Sequence, residues 1–214
     1  LSTYKKAIGA LDQAKSALVD SLYTPAQKQL AIELTERQNY WQQRRAELAA
    51  ADEEIELIRD SAKRQESKAV NEKALTEATA VRKKLGDNQA VWDAAEGKWK
   101  VDGADLEESI SRGFVYEGGK WTRISDGTDV APADLQKIID GRLELTRQKT
   151  DREITRLNGQ QKRINDIEAI ASDEGKAKTR LSELETTKNN LSEDLKIISS
   201  ELAGLQRQLE QEGS

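Results

Sequence analysis

The chain contains no cysteine, no histidine and no methionine among its 214 residues. Without cysteine there is no disulfide framework and no thiol chemistry, so the redox compartment stays open; such a chain tolerates an oxidising exterior without mispairing. The loss of both histidine and cysteine removes the commonest general bases, nucleophiles and zinc ligands. The carboxylates on the helical stretches stand at spacings that favour Lys or Arg partners. The chain therefore reads as non-enzymatic, with no cofactor and no metal site. Translation begins at methionine, so a chain that starts at Leu1 is a processed product or a fragment, and a fragment of a larger protein is expected.

Apolar material is also scarce. Only 36% of the residues are hydrophobic and 4% aromatic, whereas 34% are charged. That mixture cannot fill a thick globular core; it suits long helices that bury a narrow seam and leave their other faces in water. The net charge is only -5 because both signs are interspersed. Arg44–Arg45 and Arg82–Lys83–Lys84 are local basic clusters, but each sits among acidic neighbours and reads as a solvated helix face, not a phosphate-binding patch, so no nucleic acid is expected. No stretch approaches the ~20 apolar residues that cross a bilayer, and no membrane insertion by this segment is expected.

With only two prolines, the helix punctuation is easy to find. Tyr4, Ile8, Leu11, Leu18 and Leu22 mark a first stripe that breaks near residues 23–25. Thr24-Pro25-Ala26-Gln27 then reads as a capping box that starts a new helix at Pro25. From there to Leu85 nothing breaks the helical pattern, and a seven-residue comb runs through Leu34, Trp41, Leu48, Ile55, Ala62 and Ala69. The companion positions are polar, and Arg59 to Ala69 carries no large apolar residue, which predicts loose packing there. A second long helix opens at Pro132, slips phase near residues 159–175, and ends in a clean register: Leu181, Leu184, Leu191, Leu195, Ile198, Leu202, Leu205 and Leu209, broken only by Lys188. The arms are thus expected over residues 1–85 and 132–214. Pairing Leu85 with Ala133 would set Leu30 opposite Lys188.

Between the arms, residues 86–131 form a small Gly- and aromatic-rich tip. It holds three of the four tryptophans and the only phenylalanine. Residues 113–124 read as a β-hairpin, because Gly118-Gly119 can supply the positive φ angles of a two-residue turn. That turn pairs Glu117 with Lys120, Tyr116 with Trp121, Val115 with Thr122 and Phe114 with Arg123. Phe114, Tyr116, Trp121 and Arg123 then share a face, with a cation–π contact expected at its Arg123 end. Trp92, Trp99, Val101, Leu106 and Ile110 are the candidates to cover it. The acidic groups around Asp102, Asp105, Glu107 and Glu108, and around Asp126 and Asp129, lack the spacing of a calcium loop; they read as turn chemistry and as a cap, from Asp102 or Asp105, for a short helix through Ser111.

The expected fold class is mainly α: a long, kinked antiparallel coiled-coil helical hairpin with a small α+β tip. The expected function is an interaction module that presents the tip to a protein partner, through Trp99, Phe114, Tyr116, Trp121 and Arg123. The favoured reading of the aromatics themselves is a miniature core that closes the end of the hairpin, and the two readings are compatible. At the level of architecture, not of any motif, the helix–small domain–helix plan resembles the central receptor-binding region of colicin-type bacteriocins. That resemblance implies a secreted, toxin-like chain whose tip meets a cell-surface receptor. The alternative is an intracellular or viral scaffold, chaperone or secretion-translocator component whose seams drive self-association.

Overall fold

The computed structural model describes Ala10, Gln13, Ala14 and residues 24–213. Apart from those three positions, the stripe expected between Ser2 and Leu22 lies outside the described residues. The chain is mainly α with a small antiparallel β portion, and it divides into two compact units: Leu1–Arg59 with Ile170–Ser214, and Asp60–Ala169.

In the first unit, helix α1 (Pro25–Arg59) opens on the predicted capping box: Gln27 N donates to Thr24 Oγ1 at 3.2 Å, and Thr24 N donates to Gln27 Oε1 at 2.7 Å. Its antiparallel partner is the last helix, Glu174–Glu212, whose N-cap Asp173 accepts from Lys176 N. The register is fixed by contacts along the seam. Gln27 Nε2 donates to Glu212 O at 3.0 Å, and Trp41 Nε1 donates to Ser199 Oγ at 3.2 Å. Further along, Lys188 meets Asp52 at 2.8 Å, and Arg180 donates to both Glu54 oxygens at 2.8 and 3.1 Å. Ala51, Ile55 and Ile58 are buried on one helix, and Leu184, Leu191 and Ile198 on the other, so the clean C-terminal register does supply the seam. Lys188, its only interruption, is neutralised by Asp52, which holds the ammonium above the ordinary lysine range.

The second unit begins with a correction. The expected unbroken helix from Pro25 to Leu85 stops at Arg59, and α2 (Ser61–Leu85) restarts behind Asp60. Asp60 has extended backbone angles, and its carboxylate accepts from Ala62 N at 2.9 Å and Lys63 N at 3.1 Å. A single N-capping aspartate therefore ends one helix and starts another without help from glycine or proline. The restart changes phase. Ala62 and Ala69, the continuation of the comb, are exposed, and the inward positions become Asn71, Ala78 and Leu85. Asp60 to Val70 contributes no buried residue, as its lack of large apolar side chains predicts.

Helix α2 pairs antiparallel with the helix Pro132–Ala171 through Lys68–Glu168 at 3.4 Å, Asn71 Nδ2 to Gln161 Oε1 at 2.8 Å, and Arg82 Nε to Asp151 at 2.8 Å. Here too the offset differs from expectation. Leu85 stands by Arg147 rather than Ala133, because the first turns after Pro132 pack on the β portion and meet α2 only at its last residue, Leu85. In the first unit Lys188 faces Asp52, not Leu30.

Between Leu85 and Pro132 lie two three-stranded antiparallel meanders. The first comprises β1 (Val91–Asp93), β2 (Lys98–Val101) and β3 (Ala104–Asp105). After the one-turn helix α3 (Glu108–Ser111), the second comprises β4 (Phe114–Glu117), β5 (Lys120–Arg123) and β6 (Asp129–Val130). The β4–β5 register is the one the Gly-Gly turn predicts, from Phe114↔Arg123 to Glu117↔Lys120. Gly118 and Gly119 have φ of 59° and 79°, the positive pair a type I′ turn requires. The two long C-terminal helices complete the count as α4 (Pro132–Ala171) and α5 (Glu174–Glu212). The first turns of α4 seal the β portion, with Leu135, Ile139 and Leu143 fully buried beside Leu85, Val101 and Ile110.

Candidate binding cleft in the β-rich end

The two meanders are built alike. Trp92 pairs with Trp99 across β1 and β2, as Tyr116 pairs with Trp121 across β4 and β5. Each inner tryptophan follows Gly-Lys: Gly97-Lys98-Trp99 and Gly119-Lys120-Trp121. Each meander then reaches an Asp-Gly-x-Asp turn: Asp102-Gly103-Ala104-Asp105 and Asp126-Gly127-Thr128-Asp129. The equivalent charges even pair alike, Lys98 with Asp105 at 3.1 Å and Lys120 with Asp129 at 3.3 Å. This internal repeat is the sequence signal that would have shown the first sheet, the third strand of the second, and Trp92 as an equivalent of Tyr116.

The four rings converge. Trp92 stands edge-on to Trp121 with centroids 4.5 Å apart, and Tyr116 lies 5.2 Å from Trp121. Trp99 is 5.7 Å from both Trp92 and Trp121. Such contacts contribute roughly 0.5–1.5 kcal/mol each beyond the apolar area they bury. The rings differ in burial. Trp99 and Trp121, expected at a partner-binding surface, are core residues at 7% and 8% exposure. Tyr116 stays outside at 44%, and Phe114 is half-buried. The cation–π partner is also different: the Arg142 guanidinium lies 5.3 Å from the Phe114 ring centroid, whereas Arg123 turns away to Asp126 at 3.3 Å.

Beside this cluster lies a cleft of about 530 Å³, lined by Trp92, Trp99, Leu106, Phe114, Tyr116 and Trp121. That volume is in the range of small-ligand and side-chain sites. Lys98, Asp105, Glu108 and Ser111 line it as well. The Nε1 atoms of Trp92 and Trp99 are buried and have no acceptor among the described residues. A buried donor without a partner costs about 1–3 kcal/mol, so these two are an unusual feature of a packed cluster. Among the described residues the Glu108 carboxylate has no hydrogen-bond or ion-pair partner.

The rest of the acidic chemistry is structural. Asp93 lies below the ordinary carboxylate range because it accepts from Glu96 N–H, and also from Lys100 and Ala95 N–H. Lys100 is held above the usual lysine range, first by Glu96 and then by Asp93. Asp126 is lowered by the Thr128 hydroxyl and N–H, as a turn residue. Neither Asp102 nor Asp105 caps α3. Asp105 is part of β3, and Asp102, at φ 51°, accepts from Asn88 Nδ2 at 2.6 Å. Among the described residues no three metal-ligating side chains converge, and no helix is long and apolar enough to cross a membrane.

Arg147, which sequence reasoning did not single out, ties the β-rich end to α2. Its buried guanidinium donates to Leu85 O at 2.9 Å and to Asn88 O at 2.6 Å, so it caps the last carbonyl of the helix and holds the bend that follows it. The chain matches no protein-family model, no curated protein and no solved structure.

Proposed function

We propose that the chain is a non-enzymatic interaction module in which coiled-coil helical arms carry the β-rich end to a macromolecular partner. The receptor-binding arm of a secreted, bacteriocin-like or toxin-like protein is the leading form of this reading. One observation carries it: two aromatic meanders, far more material than a helix reversal needs, enclose a cleft and leave Tyr116 exposed at its edge. Exposed Arg123 and half-buried Phe114 flank that region, whereas Trp99 and Trp121 support it from beneath.

The test is capture on outer-membrane extracts. Immobilised chain is compared with Tyr116→Ala and with Tyr116→Ala combined with Arg123→Ala. The reading expects retention of a defined surface protein by the parent chain and its loss in both variants, with helical circular dichroism unchanged. Retention that ignores both substitutions refutes presentation by this end. A second reading, lateral assembly as a scaffold, draws on exposed apolar residues along the helices: Val70, Val81 and Leu145 in one unit, Ile32 and Ile197 in the other. Sedimentation equilibrium separates the two, because a stable trimer or hexamer favours assembly and a monomer favours the presenting arm.

A further inference from the structure

We infer that the groove along α1 and α5 is the docking site of the chain's own N-terminal segment, Tyr4–Leu22, folded back at Thr24 as a third helix. Only the first unit is involved, whatever the β-rich end binds.

The seam of this unit is open toward its base. Between Gln27 and Ala51 α1 has no buried residue, and α5 has none after Ile198. Leu30, Leu34, Trp41, Leu202, Leu205 and Leu209 are only half-buried over that stretch. Leucines left half in water along a helix pair mark a face wide enough for a third helix. A groove of about 660 Å³ runs there, between Glu33, Glu36 and Tyr40 of α1 and Glu201, Gly204 and Leu205 of α5. A Cβ placed on Gly204 would meet nothing within 4 Å. Glycine weakens a helix interior, and at this position it leaves the wall open to close approach.

The segment matches the opening in length and direction. Tyr4, Ile8, Leu11, Leu18 and Leu22 make a stripe of 19 residues, about 28 Å as helix, which spans most of the open stretch. Ala10, Gln13 and Ala14 are helical and exposed, and on a 3.6-residue period all three fall outside that stripe. Thr24 stands outside the helix ahead of Pro25, where a proline disfavours helical angles, so the chain can reverse there.

Charge sets the register. Glu33, Glu36 and Glu201 face Arg37 alone in the groove, and Arg37 is already 3.2 Å from Glu201. Glu33 accepts from Gln29 at 3.4 Å, and Glu36 has no partner among the described residues. The stripe carries one cation, Lys15, between Leu11 and Leu18. Lys15 lies nine residues before Thr24 and Glu33 nine after it, while Ile8 and Tyr40 are each sixteen away. Folding back at Thr24 therefore brings the lysine level with the free carboxylates and Ile8 level with the tyrosine. The tether at Thr24 also gives this segment a higher effective concentration at the groove than a second copy has.

The experiment uses the whole chain, whose lack of cysteine makes paired cysteines unambiguous. Leu11→Cys with Glu36→Cys is treated with a short bis-maleimide, and Gln13→Cys with Glu36→Cys is the off-stripe control. The expected result is rapid cross-linking within the monomer for the Leu11 pair and little for the control. Equal cross-linking of both pairs, no cross-linking, or cross-linked dimers, which would place a second copy in the groove, would each overturn the inference. Hydrogen exchange supplies a readout without cysteines. Lys15→Glu should speed exchange across residues 8–22 by about fivefold, and adding Glu33→Lys with Glu36→Lys should restore it. Exchange that ignores Lys15→Glu, or that the compensating lysines do not slow, would remove the charge register and the docking with it.

Discussion

Arg147 offers the sharpest test of how the β-rich end is held. Its side chain is buried at the point where α2 terminates, and one guanidinium satisfies Leu85 O twice, at 3.3 and 2.9 Å, and Asn88 O at 2.6 Å. The contact to Glu144, at 3.8 Å with an exposed carboxylate, contributes little. Arg147→Met keeps the stem and removes the donors. The buried Leu85 carbonyl is then deserted, at about 1–3 kcal/mol, and the more exposed Asn88 carbonyl, which water reaches, adds a smaller cost. The expected loss is about 2–4 kcal/mol, with Arg147→Lys intermediate because one ammonium replaces a fork of donors. Urea denaturation of the Trp41→Phe chain, followed by tryptophan emission, measures it in the β-rich end, and far-ultraviolet circular dichroism reports the helices. A loss below about 0.5 kcal/mol would refute the capping role, because that is the range of an ordinary surface substitution.

The remaining expectations address packing, backbone and charge. Trp121→Ala should destabilise the β-rich end by about 3–5 kcal/mol, as a truncated core aromatic, and Tyr116→Ala by far less; equal effects in urea melts would contradict their different burial. Gly86→Ala should lower the same midpoint strongly: Gly86 has φ of 58°, and an added Cβ would stand 2.3 Å from Asp102 Oδ2 and 2.8 Å from Val101 Cγ1. An unchanged midpoint there would show that Asp102 moves freely. Asp93 and Asp126 have folded pKa values below their unfolded ones, so each stabilises the protein above the ordinary carboxylate range and loses that contribution as pH falls from about 4 through the folded value. Acid titration should therefore disturb tryptophan emission below about pH 4, and the double change Asp93→Asn with Asp126→Asn should flatten that dependence; an acid transition that survives unaltered would assign it elsewhere.

Legibility in the sequence followed the range of the interactions. Thr24 to Gln27 and Gly118-Gly119 act within a few residues, so the start of α1 and the β4–β5 register could be read directly. Asp60 acts just as locally, but an aspartate in a helix with many charges gives no contrast, and the break it makes stayed hidden. The offset between α2 and α4 depended on a long-range fact: Leu135, Ile139 and Leu143 are consumed by the β portion before α4 can pair with anything else. The first meander was missed because its strands span only two to four residues and its register turns on a longer loop than a Gly-Gly pair. For the cleft, the residue types were legible and their exposure was not. Strand alternation puts Tyr116 and Trp121 on one face, and only the second meander packed against that face decides which ring faces water.

The distribution of burial explains why a cleft could be maintained here. Over its 25 residues α2 buries only Asn71 and Leu85, and Asn71 is polar, held through Leu157 O and Gln161. A helix so poor in apolar contact gains little from its own seam, and a buried asparagine fixes register at some cost in stability. The apolar weight of the unit lies instead at its β-rich end, where Val101, Leu135, Ile139 and Leu143 are at most 1% exposed, three ring contacts cross between the meanders, and Arg142 of α4 stacks on Phe114 and donates to the carbonyls of Ile110 and Arg112. Local opening follows buried contact, so α2 should exchange its amides faster than the first turns of α4. The end that carries the cleft is the best-anchored part of the unit, and a site whose walls are pinned from behind keeps its shape before any ligand arrives.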